Sequence, residues 1–340
     1  MTMGDALLKR FEKGPLICAE GFLFELERRG YLKAGPFVPE VVLDHPESLR
    51  ELHREFLRAG SDVMVAFTYY AHRDKMKVVG RERDIEKLNR QALRIAKQVA
   101  DEGNALTAGN ICNTWVYDPS NKSSWDEVYG MYDEQVKWAK EEGADYIIAE
   151  TLFYTGEALI ALEVIKKYGL EAVITFAPFH EKTLDGDTYE EACKKLKENG
   201  ADVVGLNCGR GPETMFPLLE NIRSNVEGEI AALPVPYRTT NEAPTFQKLQ
   251  TENGEQAFPV LLDSFFIDRK QTANFAVKAR ELGINYIGLC CGGAPHFIRA
   301  MSEALGRSPL ASMYSPDLSL HAMLGSNVKE HNQPFKKDWK

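Results

Sequence analysis

The sequence has little of what marks a secreted, membrane-spanning or nucleic-acid-binding chain. Only six of its 340 residues are cysteine, too few for a disulfide scaffold in a chain of this length. No stretch of about 18 uninterrupted apolar residues occurs, so no segment reads as a membrane span. The amino terminus runs into Lys9-Arg10-Phe11-Glu12-Lys13 without the apolar core of a signal peptide. Basic residues are in deficit, 41 against 50 acidic ones, giving a formal charge of −9 and a pI near 5.5. That balance argues against the basic face a nucleic-acid partner requires. Glycine patterns for dinucleotide or nucleotide phosphates are missing as well: no Gly-x-Gly-x-x-Gly opens the first helix, and no Gly-x-x-x-x-Gly-Lys loop occurs. A cytoplasmic enzyme of small molecules, with neither nucleic acid nor membrane as partner, is the expectation.

What is present is a repeated phrase. Ala59-Gly60-Ser61-Asp62-Val63-Met64-Val65-Ala66 resembles the stretches 142–149, 199–206 and 282–289. Each time a helical pattern stops at glycine, a small turn with Asp or Asn follows, and a short apolar run comes next. Further strands are predicted at 16–19, 105–111, 172–176 and 230–233. Helices are predicted at 46–57, 85–100, 125–140, 157–167, 189–198, 213–222, 270–282 and 295–305. The strands are nearly continuous apolar runs, as expected of a parallel sheet covered on both faces. Eight such units give an α/β fold, a (β/α)8 TIM barrel over residues 8–306, with a short C-terminal extension at 307–340. An open doubly wound sheet is the competing reading, weakened by the absent phosphate loops. The irregular stretch 234–268 is long enough to expect it at the mouth of the barrel.

Barrel enzymes place their chemistry at the carboxyl ends of strands. Glu150 falls at the end of the predicted fourth strand, Cys208 just after the sixth, and Cys290 and Cys291 after the eighth. Three thiols with a fourth position open suit a catalytic zinc. Any one cysteine alone reads as a small buried hydrophobe. A vicinal pair also permits a strained disulfide, disfavoured in a reducing compartment. Three thiols at strand ends, the last two followed by Gly292-Gly293, favour the metal. Bound to such an ion, a substrate thiol is held as the nucleophilic thiolate instead of the few per cent present at neutral pH.

Gly205-Leu206-Asn207-Cys208 and Gly288-Leu289-Cys290-Cys291-Gly292-Gly293 resemble the two cysteine motifs of the homocysteine S-methyltransferase family. Gly30-Tyr31-Leu32-Lys33-Ala34-Gly35-Pro36, the stretch 53–60, Phe67-Thr68-Tyr69-Tyr70-Ala71 and Ile148-Ala149-Glu150 resemble its betaine-using members. The resemblance implies that Cys208, Cys290 and Cys291 hold Zn2+ and that Glu150 contacts the homocysteine amino group. It places Ala19-Glu20-Gly21 where the family has Asp-Gly-Gly, so Ala19 and Glu20 enter the homocysteine site, with Glu20 supplying the acid one position on. It places Phe37, Tyr69, Tyr70 and Thr151 around the methyl donor, with Phe37 standing for a Trp and Thr151 for a Tyr. His331 is the tail residue it brings to the donor carboxylate. The implied reaction moves a methyl group from a betaine-type onium donor to homocysteine, and the implied assembly is a homo-oligomer. Two alternatives stay open: a sulfonium donor (dimethylsulfoniopropionate, S-methylmethionine or S-adenosylmethionine), and a non-catalytic barrel that binds zinc and thiols.

Overall fold

The computed structural model describes residues 6–334. Its eight strands close into a parallel barrel in sequence order. They are β1 (Leu16–Ala19), β2 (Val63–Val65), β3 (Leu106–Cys112), β4 (Tyr146–Leu152), β5 (Glu171–Phe176), β6 (Val203–Asn207), β7 (Glu229–Leu233) and β8 (Tyr286–Leu289). The register closes through Leu16 opposite Tyr286 and Ala19 opposite Leu289. Helices lie between successive strands, the expected (β/α)8 arrangement. No helix among the described residues is long and apolar enough to cross a membrane.

The repeated phrase has a physical basis at each of its positions. Gly60, Gly143, Gly200 and Gly283 all take left-handed φ values, between 70° and 103°, which end the preceding helix without a Cβ penalty. The acid that follows then pins the neighbouring strand. Asp62 Oδ2 accepts the Ile17 N–H at 2.8 Å, Asp145 Oδ2 that of Thr107 at 2.8 Å, and Asp202 Oδ2 that of Ala172 at 2.6 Å. Asn285 replaces the acid in the fourth copy and donates to Glu229 instead. One short signature therefore terminates a helix, satisfies a strand-end amide at the amino-terminal rim and sets the next strand in register.

Helix boundaries follow the predicted ones to within a few residues, and the differences are local. The helix expected from 125 starts at Lys122, where the Asn121 side chain accepts the Ser123 N–H. β4 runs to Leu152, two residues past Glu150, through a register shift between Ala149 and Leu152. Short helices at Phe22–Arg28, Val41–Asp44 and Arg73–Val78 add to the predicted set, each too brief to show a helical period. The stretch 234–268 carries only two 3-10 turns, Phe246–Lys248 and Asp263–Phe265. Beyond the last barrel helix, Arg307 pairs with Asp62 at 2.6 Å, so the extension starts from the amino-terminal end of the barrel.

His53 is buried for packing. His53 has no exposed surface, neither ring nitrogen has a partner, and its ring lies 4.5 Å from that of Phe22. Burial lowers its pKa to about 3, from an ordinary value of 6.5. The unfolded chain thus binds a proton below pH 6.5 that the folded chain refuses until about pH 3. Stability contributed by neutral His53 is full above pH 6.5 and is lost as the pH falls toward 3. Each pH unit in that window removes about 1.4 kcal/mol. His53→Phe is expected to flatten the pH dependence of urea-unfolding stability between pH 6 and 4. An unchanged slope would refute that assignment.

Candidate active site

β6, β8 and β4 end side by side or across the barrel mouth, and their terminal residues converge. Cys208 follows β6, and Cys290 and Cys291 follow β8. The Sγ atoms of Cys208 and Cys291 stand 3.7 Å apart and those of Cys290 and Cys291 3.9 Å, with all three inside a 4.8 Å sphere of mutual distances. A tetrahedral ion with Zn–S bonds of ~2.3 Å sets its sulfurs about 3.8 Å apart, so the residues present fit zinc. Cys208 reaches this point from a left-handed backbone (φ 57°), followed by Gly209 at φ 68°. Such conformations persist in non-glycine residues only where the surroundings enforce them, typically at functional sites. Close contacts from Cys290 and Cys291 pull the Cys208 thiol below its ordinary range. The same close contacts with Cys208, together with burial, push the other two thiols up.

Beside the thiols lies a pair of buried carboxylates. Glu20, Glu150 and Cys290 each offer an atom within 4.8 Å of the others. Glu150 accepts from Asn110 Nδ2 at 2.6 Å and from Asn207 Nδ2 at 3.0 Å. Burial raises its pKa to about 8. Burial and the charge of Glu150 push Glu20 well up, and its Oε2 has no hydrogen-bond partner. Two acids and an orphaned oxygen in an apolar wall describe a receptor for a cation, since an isolated carboxylate pair is unfavourable there. Soft thiolates outrank carboxylates for zinc, so the carboxylate group reads as a site for an ammonium rather than for the metal. The Glu20 loop is fixed against the vicinal cysteines: a Cβ at Gly21 would sit 1.7 Å from the Gly293 carbonyl oxygen.

Asn207 joins the two halves. Its Nδ2 donates to Glu150, to Thr151 Oγ1 at 2.8 Å and toward Cys290 Sγ at 3.7 Å, while its Oδ1 accepts from Thr151 N at 2.8 Å and Thr175 Oγ1 at 2.9 Å. Thr151 is itself left-handed (φ 59°), in the irregular part of β4 that turns Glu150 inward. Sequence reasoning passed over Asn207, although its place just before Cys208 at a strand end was a usable signal. Asn207→Ala is expected to weaken together the binding of an ion at the thiols and of an ammonium ligand at Glu150, each by about 10- to 100-fold, as loss of a supporting partner does. A loss confined to one ligand would show that the hub does not couple them.

Two cavities meet at the thiols. The inner one is lined by Glu20, Glu150, Asn110, Thr151, Cys290 and Cys291 among apolar neighbours that include Tyr69. The outer chamber, of about 280 Å³, also touches Tyr69, Thr151 and Cys291 and adds Cys208. Among the described residues nine aromatic side chains line it, including Phe37, Tyr69, Tyr70, Trp115, Phe153 and Phe246, and no Asp, Glu, Lys, Arg or His does. Trp115 and Phe246 were not singled out in the sequence. Trp115 stands in a left-handed turn after β3, 58% exposed, and its Nε1 donates to the Tyr70 hydroxyl at 3.0 Å. Phe246 and Phe258 come from the 234–268 stretch, which thus forms a wall of the chamber.

The structure brings together Cys208, Cys290, Cys291, Glu20 and Glu150, and around the outer chamber Phe37, Tyr69, Tyr70 and Thr151. Two residues stand apart. Ala19 is buried in β1 with its N–H toward Ser61 Oγ at 3.3 Å and lines neither cavity. His331 is exposed in the 3-10 turn Glu330–Asn332 of an extension that starts from the opposite end of the barrel, and it lines neither cavity.

A closed parallel barrel thus carries three convergent thiols, a carboxylate pair and an aromatic chamber at one rim. The comparisons with known proteins name its class. The family model for homocysteine S-methyltransferase matches residues 16–305. Betaine–homocysteine S-methyltransferase 1 of Xenopus tropicalis is 34% identical over 345 residues, covering 97% of this chain and 82% of the relative. The Rattus norvegicus protein of that name is 35% identical, with 97% and 81% covered. S-methylmethionine–homocysteine S-methyltransferase BHMT2 of Pongo abelii is 33% identical, with 97% and 88% covered. Among solved structures, the oxidized form of the homocysteine methyltransferase MmuM from Escherichia coli shares the fold, with TM-score 0.69, 20% identity, and 89% and 99% of the two chains covered. The chain belongs to the homocysteine S-methyltransferase family, and it is a methyltransferase.

Proposed function

We propose that this methyltransferase moves a methyl group from a small betaine-type onium donor to the sulfur of homocysteine, giving methionine and a demethylated donor. The observation that carries the reading is the junction of two unlike cavities at one cluster of thiols: carboxylates on one side, uncharged aromatic walls on the other. Cys208, Cys290 and Cys291 would hold a zinc ion, whose chemistry is to keep the homocysteine sulfur as a thiolate at neutral pH.

The remaining work falls to this chain's own groups. Glu150 and Glu20 receive the homocysteine ammonium, and Asn110 and Asn207 hold the Glu150 carboxylate in place. The onium methyl groups have no N–H to donate, so the faces of Tyr69, Tyr70, Trp115 and their neighbours bind them through cation–π attraction. Held between these walls, the donor carbon faces the sulfur in line with its leaving nitrogen or sulfur. The S–C bond forms as the donor C–N or C–S bond breaks, and the electron pair of that bond leaves with the donor, which becomes neutral at that atom. The thiol proton has gone to solvent on binding. Alignment across the cavity junction supplies the rate by removing the entropy of encounter.

Two relatives named for different donors, betaine and S-methylmethionine, match to a similar degree, so identity alone does not choose between them. The chamber favours betaine-type donors because, among the described residues, no acidic side chain lines it to meet the ammonium of S-methylmethionine. A donor screen tests this directly. Zinc-loaded protein and homocysteine are given glycine betaine, dimethylsulfoniopropionate, S-methylmethionine or S-adenosylmethionine, and methionine is measured by mass spectrometry. Methionine from a betaine-type donor is expected. Methionine from S-methylmethionine or S-adenosylmethionine alone would replace this donor assignment. Homocysteine binding with no product from any donor would identify a non-catalytic barrel.

A further inference from the structure

The outer chamber holds one side-chain feature that the proposed reaction leaves unused. A betaine-type donor has two ends, and the aromatic walls account for only the cationic one. A carboxylate at the other end is ordinarily met by Arg, Lys or His, yet among the described residues none of these lines the chamber. Among the described residues, and apart from its thiols, its Tyr and Trp groups and Thr151, the only polar side chain in the wall is Gln247. Trp115 Nε1 donates to the Tyr70 hydroxyl and Asn207 Nδ2 to Thr151 Oγ1, so those two hydroxyls are already held by neighbours within the protein. Gln247 Oε1 is buried and has no hydrogen-bond partner.

Gln247 is presented from a rigid support. It occupies the 3-10 turn Phe246–Lys248, whose Phe246 N–H donates to the Gly209 carbonyl at 2.8 Å, one residue beyond Cys208. Its own carbonyl accepts from Gln256 Nε2 at 2.8 Å. Phe246 beside it stacks on Tyr237 at 5.8 Å and meets Phe258 edge-on at 5.1 Å. The turn is thereby fixed, while the carboxamide at its centre is left with hydrogen-bonding capacity facing the chamber. Rotation about its last side-chain bond exchanges oxygen for NH2, so the group can donate two hydrogen bonds to a carboxylate.

We propose that Gln247 is the specificity residue for the far end of the methyl donor, binding its carboxylate through a neutral carboxamide. Recognition of that end is by hydrogen bond rather than ion pair, which keeps the chamber uncharged around the onium. The inference rests on the onium-donor reading above and adds a named contact to it.

The test uses the zinc-loaded protein and its Gln247→Leu and Gln247→Glu variants. Two carboxylate-bearing donors, glycine betaine and dimethylsulfoniopropionate, are compared with tetramethylammonium, which has no far end, as a competitive inhibitor. Gln247→Leu is expected to raise KM for both donors by about 10-fold or more, the loss of a hydrogen bond to a charged acceptor. Tetramethylammonium inhibition and KM for homocysteine should stay within about twofold of wild type, since only the end contact is removed. Gln247→Glu places like charge against the carboxylate, so it should weaken the donors further and tighten tetramethylammonium. Equal shifts for all three probes in both variants would show that the wall, not the end contact, was disturbed, and would overturn the proposal. No shift in any would overturn it too. Normal wild-type turnover beside insensitive variants sinks this inference alone, whereas a wild type that makes no methionine from either donor sinks both readings.

Discussion

Replacing Cys290 with serine is expected to remove bound zinc and, with it, methionine formation. The serine hydroxyl is a harder and far less acidic group than a thiol, and the matched separations of 3.7 and 3.9 Å around Cys291 are no longer answered by three sulfurs. Turnover should fall by about 10³-fold or more, the several kcal/mol that a Lewis acid contributes to such a step. Circular dichroism separates this from unfolding, because a folded variant keeps its barrel signal. Cys193→Ala is the control: Cys193 is buried in the helix Tyr189–Glu198, outside the thiol group, and its loss should leave zinc content intact. Full activity in Cys290→Ser would refute the role given to the thiol cluster.

Glu150→Gln should have the next largest effect, and it should fall on one substrate. Asn110 and Asn207 both present NH2 groups to the carboxylate, so a glutamine there sets its own NH2 against one of these donors and removes the charge. Truncating one partner of a buried charged contact costs about 2–5 kcal/mol, so KM for homocysteine should rise by roughly 30-fold or more. KM for the donor should change little, because the outer chamber does not include Glu150. An ordinary rim carboxylate would behave differently, with lower stability and both KM values unchanged.

The fold was legible because it repeats. Four copies of a Gly-x-Asp or Gly-x-Asn phrase give helix end, turn and strand together, and Asp62, Asp145 and Asp202 repeat one hydrogen bond at the barrel floor. The thiols and Glu150 were legible for a related reason: a parallel barrel sends every strand end to one rim, so a residue's place at a strand end predicts its place in space. The chamber was not. Trp115 and Phe246 sit in loops, where no period marks which aromatic turns inward, and the left-handed backbone of Trp115 leaves no trace in a tryptophan's identity. Asn207 was passed over because a strand-end amide carries no charge and no nucleophile. Its importance lies in how many partners it joins. Glu20 replaces an acid expected one residue earlier, and only the fold shows its side chain reaching Glu150 and Cys290. His331 reads as a donor ligand by likeness, but the extension that carries it leaves from the far end of the barrel.

X-ray absorption at the zinc edge, on reduced and carefully purified protein, addresses the three thiols most directly. One zinc per chain with three protein sulfurs at ~2.3 Å, rising to four sulfurs when homocysteine is added, is the expected result. Protein that holds no zinc yet turns over fully, or a bound ion coordinated by oxygen alone, would contradict it.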